Sequence, residues 1–441
     1  MSEDSLAGRL GRYARVGIGL SGVAARAAGA KYLGMSLDRS KHAADLRAAL
    51  GGLKGPLMKA AQLIATIPDA LPEEYVRELR SLQAQAPSMG WSFVKRRMKG
   101  ELGADWQSRF AAFEPQAAAA ASLGQVHRAR LHDGRVVACK LQYPDMRSAL
   151  EADLGQLKIV FHIGQRMDPA FDTGEIHAEI GERLREELDY GREAAAMRLY
   201  ADLLQAVPQI HVPGVVPELS TQRLLTMDWL EGRPLLDFVG AAQQERDRLA
   251  ETMFRAWYRP LYHFGVIHGD PHLGNYTVRP DLSVNLFDYG CIRIFPPRFV
   301  RGSIILYRAL QKGDEDMAEA AYQDWGFGGL SRQQVRVLNR WAAFLYDPLM
   351  DDRVRTIADV TPGRYGRDVI QGVFDEIRKL GKVRPPREFV FMDRAAIGLG
   401  AVFIHLRASI NWHQLFESLI EGFDVDVLAQ RQQTALVEAG L

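Results

Sequence analysis

Between Gly265 and Gly290 the chain reads GVIHGDPHLGNYTVRPDLSVNLFDYG, and no other stretch limits its fold so tightly. Asp270 is followed by Asn275 five residues on and by Asp288 thirteen after that. The apolar run from Phe264 to Ile267 leads into His268-Gly269-Asp270, so Asp270 is expected where an element gives way to a loop. Pro271 and Gly274 keep that loop from becoming helix. Ser283 to Phe287 alternates like a short strand that delivers Asp288 at its end, with Tyr289-Gly290 as the turn behind it. Taken singly, an aspartate ahead of an asparagine is turn chemistry on a surface loop. The His-Gly-Asp lead, the five-residue step and the Asp-Tyr-Gly closure together aim two neighbouring loops at one point.

A carboxylate, an amide and a second carboxylate in that order suit phosphoryl transfer. The first carboxylate accepts or orients the proton of the attacking group; the amide oxygen and the second carboxylate hold the magnesium ions that bridge nucleotide phosphates. Asp270 is the candidate catalytic residue, Asn275 and Asp288 are the candidate metal ligands, and ATP and Mg2+ are the implied cofactors.

With 441 residues the chain is long enough for two or three lobes with substantial cores. A net charge of +1 supplies no global basic field, so nucleic acid is not an expected partner. Two cysteines, Cys139 and Cys291, exclude a disulfide framework and point to a reducing, cytoplasmic setting. The apolar run from Ala395 to Leu406 lies between Arg394 and Arg407 and falls short of the roughly 20 residues that cross a bilayer. It reads as a buried helix, so no transmembrane span is expected. Gly8 to Gly34 carries Arg9, Arg12, Arg15, Arg26 and Lys31 with almost no acid, in the manner of a surface anchor or a transit segment, and Glu3 and Asp4 argue against the transit reading. A mobile terminus, a helix lying on a membrane or on the protein body, and a cleaved signal all stay open for it.

Pro56 and Pro68 bracket a helix over Leu57 to Ile67 whose polar stripe holds Lys59, Gln62 and Thr66; others are expected from Pro72 to near Pro87 and over Trp91 to Gly100. Five alanines follow Pro115-Gln116, and propensity alone would make them helical. With Pro115 before, Gly124 after and strand-like runs beyond, a hairpin fits better, and Ala119, Ala120, Ala121 and Ser122 take the position of a phosphate flap. The next strand, Arg135 to Leu141, puts Val136, Ala138 and Lys140 on one face and Val137, Cys139 and Leu141 on the other. Val137-Ala138-Cys139-Lys140 matches the strand motif whose lysine grips the α- and β-phosphates.

A single helix from Asp172 to Met197 is expected next, rich in acids, one of which meets Lys140. Val212 to Pro217 and Arg223 to Trp229 read as strands, and Leu230 to Pro234 as an interlobe hinge where the backbone of Asp228 to Leu230 meets an adenine edge. Glu245 to Phe264 is a long amphipathic helix behind the catalytic loop. These boundaries divide the chain into a helical extension (1–109), a first lobe with inserted helices (110–235) and a helical second lobe (236–441).

Lys59 to Gln62, the flap Ala119-Ala120-Ala121-Ser122, Lys140, Glu187-Leu188-Asp189-Tyr190 with Glu193, His268-Gly269-Asp270 with Asn275, and Asp288-Tyr289-Gly290 follow one another through some 230 residues. In that order they resemble the UbiB family of atypical kinases, also called the AarF or ADCK family. The resemblance implies an α+β, bilobal protein-kinase-like fold with a helical N-terminal extension and a mostly helical C-lobe. It implies that Glu193 pairs with Lys140. It further implies that Glu187 and Asp189 face the helix of Lys59 and Gln62, a regulatory lid over the opening where a protein kinase admits a peptide. Here Ala61 stands where the family pattern has glycine, which sets that helix slightly farther from its neighbour.

Few residues separate Asp288-Tyr289-Gly290 from Pro296-Pro297 and no Ala-Pro-Glu segment follows, so a peptide-docking activation loop has no room. The expected activity is an ATP-dependent phosphotransferase or ATPase supporting isoprenoid quinone or related lipid metabolism. The nucleotide, a prenyl lipid, a membrane surface and a homodimer or biosynthetic complex are its candidate partners. Two alternatives stand beside it: a small-molecule kinase of the aminoglycoside or choline type, and a nucleotide-gated module that binds a lipid or partner with little turnover.

Overall fold

Helix α1 (Trp91–Leu102) is the first element described in the computed structural model, which covers residues 89–121, 123–144, 146–167, 173–358, 372–373, 376, 380 and 386–441. The expected helices at 57–67 and 72–87, with Lys59 and Gln62, lie outside those residues, as do the basic N-terminus and Ser122. The chain divides into two compact units. One holds residues up to Gly191 together with Val216–Trp229, the other Arg192–Val215 together with Leu230–Leu441.

In the first unit, β1 (Ala112–Phe113) and β2 (Ala119–Ala121) both pair antiparallel with β3 (Gly124–Arg130), which pairs with β4 (Val136–Gln142). The alanines form a strand because their backbone groups are taken by β3, which outweighs an intrinsic preference of a few tenths of a kcal/mol per residue. Gly124 permits the hairpin: a Cβ there would collide with the Leu141 carbonyl of β4. The turn from β3 to β4 is held by Asp133, whose Oδ1 accepts from the Arg135 amide at 2.9 Å. On one face of the sheet, Val137, Cys139 and Leu141 pack with Ala129 against Val94 and Met98 of α1 and against Trp106. Cys139 is fully buried, as its strand alternation predicts, and burial pushes its thiol up to about 12.

Helices α2 (Met146–Met167) and α3 (Thr173–Glu187) follow; the first had no counterpart among the expected elements. The expected single helix through Met197 is interrupted at Leu188 and Asp189, after which α4 (Tyr190–Leu203) begins. The sheet competes for the backbone there. Gln142 Nε2 donates to the Leu188 carbonyl at 3.1 Å, and the Tyr190 amide donates to the Gln222 carbonyl at 3.4 Å.

The strand expected over 212–217 is also displaced. Strand β5 is Ile210–His211, and beyond it only Val215 makes a bridge. Pro213 and Pro217 have no amide hydrogen to give a ladder. Strand β6 (Leu224–Asp228) then completes the first sheet beside β4.

In the second unit β7 (Arg233–Pro234) precedes α5 (Gln243–Phe264), a helix of 22 residues that buries Met253, Trp257 and Leu261 and ends at Gly265 with φ of 64°. Strand β8 (Val266–His268) leaves that cap directly. Strands β9 (Tyr276–Val278) and β10 (Val284–Leu286) form a hairpin in a sheet ordered β5-β10-β9-β7, while β11 (Ile292–Ile294) pairs antiparallel with β8. Two residues separate β11 from α6 (Pro297–Lys312). Helices α7 (Glu315–Asp324) and α8 (Arg332–Tyr346) are N-capped by Asp314 and Ser331. Then come β12 (Arg355–Thr356), α9 (Arg387–Leu406), β13 (Ser409–Ile410), α10 (Trp412–Ile420) and α11 (Val425–Ala439).

The apolar run at 395–406 is the second half of α9, with Leu399, Phe403 and Leu406 buried. Helix α11 is fastened by Gln432, whose Nε2 meets the carbonyls of Phe264 at 3.0 Å and Phe295 at 2.9 Å. Among the described residues no helix is long and apolar enough to cross a membrane. The fold is α+β and kinase-like.

Candidate active site

Strand β8 delivers Asp270 two residues beyond its end. The Gly269 amide donates to the Cys291 carbonyl at 2.7 Å, and a Cβ on Gly269 would stand 2.8 Å from that oxygen. The loop that follows is not wholly irregular. Leu273–Asn275 makes one 3-10 turn, started by His272, whose Nδ1 accepts from the Gly274 amide. Pro271 prevents a longer helix, and Tyr276 holds the loop's shape by donating its hydroxyl to the Pro271 carbonyl at 2.9 Å.

The β9/β10 register accounts for the approach of Asn275 to Asp288. Tyr276 pairs with Leu286, and the ladder runs one step further, with the Phe287 amide donating to the Asn275 carbonyl at 2.7 Å. Asn275 and Asp288 are therefore at the same end of the same hairpin, on strands that lie about 4.8 Å apart. Asn275 Nδ2 donates to Asp270 twice, to its carbonyl at 3.1 Å and to Oδ2 at 3.0 Å. Only nitrogen can face a carboxylate and a carbonyl at once, so this pair fixes the amide orientation and turns Asn275 Oδ1 the other way. Asp288 has φ of 57°, and its Oδ1 accepts from the Gly290 amide at 3.3 Å.

His268 joins the two loops. Its Nδ1 accepts from the Asp270 amide at 3.3 Å and its Nε2 donates to the Asp288 carbonyl at 2.8 Å. The accepting Nδ1 makes this the neutral Nε2–H tautomer. Complete burial, the largest cause, pushes the imidazole below its ordinary value of 6.5, although Asp270 and Asp288 pull the other way. The ring is enclosed by Tyr200, Trp257 and Tyr289 at 6.0, 5.4 and 5.7 Å, and Trp257 Nε1 donates to the His268 carbonyl at 3.0 Å.

In the first unit, Lys140 is opposite Val126 of β3, and Val126 is opposite Ala119 of β2. Residues directly opposite share a sheet face, so Ala119, Val126, Lys140 and Leu225 form one row. The lysine and the alanine-rich hairpin thus share a side of the sheet. Lys140 Nζ stands over the Tyr190 ring, 5.2 Å from its centroid. Asp228 is opposite Val137 at the end of β6, Glu187 is the last residue of α3, and Asp189 lies in the break before α4. Glu193, 4% exposed on α4, belongs to the second unit, as do Leu230, Asp270, Asn275 and Asp288.

The roles of two supporting residues escape motif reading. A Cβ on Gly398 of α9 would collide with Pro271, so only glycine lets that helix lie against the Asp270 loop. Its sequence signal is a glycine inside an apolar helix, where it costs about 1 kcal/mol and needs a reason. Tyr190 stands in the Glu187-Leu188-Asp189-Tyr190 motif, but nothing there signals its contact, because its meeting with Lys140 depends on the helix break. Among the described residues no group of three or more His, Cys, Asp or Glu side chains could hold a metal ion unaided.

Residues 81–321 match the family model of the ABC1 atypical kinase-like domain, which covers more than half of the chain. The chain belongs to that family of atypical kinases, the UbiB, AarF or ADCK family. It is 26% identical over 378 residues to the mitochondrial atypical kinase COQ8 of Saccharomyces cerevisiae, covering 83% of this chain and 74% of that one. To the chloroplastic Activity of bc1 complex kinase 7 of Arabidopsis thaliana it is 33% identical over 257 residues, 57% of this chain but only 37% of the relative. A solved structure from Mycobacterium tuberculosis, the complex of Rv3197 with erythromycin, superposes with a TM-score of 0.58 at 29% identity, covering 85% of this chain and 94% of that one.

Proposed function

We propose that the chain binds Mg-ATP and acts as an ATP-dependent phosphotransferase or ATPase. The observation that carries this reading is the joint between Asp270, Asn275 and Asp288, fastened through His268, in a member of a kinase family. Asn275 Oδ1 and the Asp288 carboxylate are the groups that would hold magnesium. Two protein oxygens suit that ion, which keeps water and phosphate oxygens in its other positions. Bound there, magnesium supplies charge neutralisation on the transferred phosphoryl group. Asp270, steadied by the Asn275 amide, orients the attacking hydroxyl or water. Lys140 grips the α- and β-phosphates, with Ala119, Ala120, Ala121 and Ser122 as the flap, the backbone of Asp228 and Leu230 as the adenine edge, and Glu193 as the lysine's acidic partner.

Support of isoprenoid quinone or related lipid metabolism at a membrane surface follows from kinship with COQ8 and rests on that kinship alone. The lid of Lys59, Gln62, Glu187 and Asp189 is part of the same reading. One observation favours a second reading, a binding module with little turnover: the Mycobacterium relative was solved in complex with erythromycin.

ATP hydrolysis and phosphate transfer by the purified chain, with and without anionic liposomes and a prenyl phenol, separate the readings. Stimulated hydrolysis supports the family role, transfer to a soluble alcohol supports a small-molecule kinase, and nucleotide binding without turnover supports the module. Asp288→Asn should abolish magnesium-dependent nucleotide binding. Unchanged affinity in that variant removes the proposal.

A further inference from the structure

Helix α5 carries Arg255, Arg259 and His263 at four-residue intervals, so the three share one face. Helix α11 packs beside it, with Gln432 bonded to the Phe264 carbonyl, and this brings the preceding residue, Arg431, to the same end of α5. Arg255 is paired with Glu251 at 3.0 Å. Arg259 and Arg431 have no carboxylate or hydrogen-bond partner among the described residues, and Arg259 Nε and His263 Nε2 are shut off from solvent with nothing to bond. The Leu419 carbonyl of α10 also reaches this corner, where it bonds the His263 ring.

The cations act on one another. Arg259 is lowered by burial first, then by Arg431 and Arg255; His263 is pushed down to about 4 by burial, then by Arg259 and Arg431. The negative end of α5 favours a cation nearby. It does not consume these, because its last carbonyls already accept from the Gly265 amide and from Gln432.

We propose that Arg259, Arg431 and His263 form a binding site for a phosphate-bearing anion, free or as the headgroup of a lipid, at the joint of α5 and α11. Two guanidinium forks offer paired N–H donors to phosphate oxygens, and the three acceptor oxygens of a doubly charged phosphate group can meet both forks at once. The approaching charge also favours a proton on His263 Nε2, which then becomes a third donor.

The test uses the full chain in the Lys140→Met background, so that phosphate cannot report on the nucleotide site. Inorganic phosphate at millimolar concentration should raise the melting temperature by about 1–2 °C. Arg431→Gln, at an exposed position, should lose that response while melting no lower than its parent without phosphate, because a like-charge contact is relieved. A purely structural arginine would lower the baseline instead. Arg259→Gln should lose the response as well.

Sedimentation with phosphatidylcholine vesicles, plain or doped with phosphatidic acid, assigns the source. Binding to doped vesicles that weakens in Arg431→Gln identifies a lipid headgroup; a lost phosphate response with unchanged vesicle binding identifies a free anion. No phosphate response in the parent, or an equal one in Arg431→Gln, overturns the site.

Discussion

His268 Nε2 donates to the Asp288 carbonyl at 2.8 Å, while His268 Nδ1 accepts from the Asp270 amide. One buried ring thereby fixes the loop of Asp270 against the turn of Asp288, and Asp288 can keep its left-handed backbone because its carbonyl has a designated donor. Residues other than glycine rarely adopt that conformation, which costs on the order of 1 kcal/mol.

This ring makes stability depend on pH in a defined direction. The folded imidazole titrates below its ordinary value of 6.5, so its contribution is complete above that pH and declines as pH falls toward the folded value. His263, held near 4, acts in the same sense. Urea midpoints should fall between pH 7.5 and pH 5.5. His268→Phe should lose about 1–3 kcal/mol at neutral pH, because the Asp288 carbonyl is left without its donor, and should show a shallower decline with acid. An equally steep decline in the variant would remove His268 as its source.

Gly398 is expected to be intolerant of any side chain. Gly398→Val forces either α9 or the Pro271 loop to move, costing about 1–3 kcal/mol in overpacking. A displacement of Asp270 by about 1 Å would lower turnover on the order of 100-fold. Gly398→Ala should show the same effects more weakly, despite alanine's better helix propensity. Denaturant titration beside ATP turnover measures both; full activity in Gly398→Val would show that α9 does not govern the loop.

Tyr190 is expected to hold Lys140 ready for phosphate. Tyr190→Leu removes a cation-π contact of about 0.5–2 kcal/mol, so ATP affinity should weaken several-fold, whereas Tyr190→Phe keeps the ring and should bind ATP almost as the parent does. Calorimetric titration with ATP distinguishes the two. Equal affinity in Tyr190→Leu and Tyr190→Phe would leave the ring no part in positioning the lysine.

Much of the fold could be read locally. Pro296-Pro297 starts α6 where expected, α5 occupies the predicted span to within two residues, and Cys139 points into the core as its alternation requires. Reading failed where distant side-chain and backbone groups captured the chain. The Asp172–Met197 helix splits because Gln142 and Gln222 take the Leu188 carbonyl and the Tyr190 amide, which no pattern within the helix announces.

The sequence by itself determined which oxygen and amide groups the two loops carry, since an aspartate, an asparagine and a second aspartate at fixed steps keep their donor types whatever surrounds them, and the strand and loop signals between them are local. The tertiary structure alone decided which amide atom turns outward at Asn275, which tautomer His268 adopts, and that Gly398 must stay bare beside Pro271. Asn275 and His268 meet Asp270 a few residues away while Gly398 meets Pro271 far along the chain, and in each case the meeting at hydrogen-bond or van der Waals distance is set by packing rather than by period or spacing.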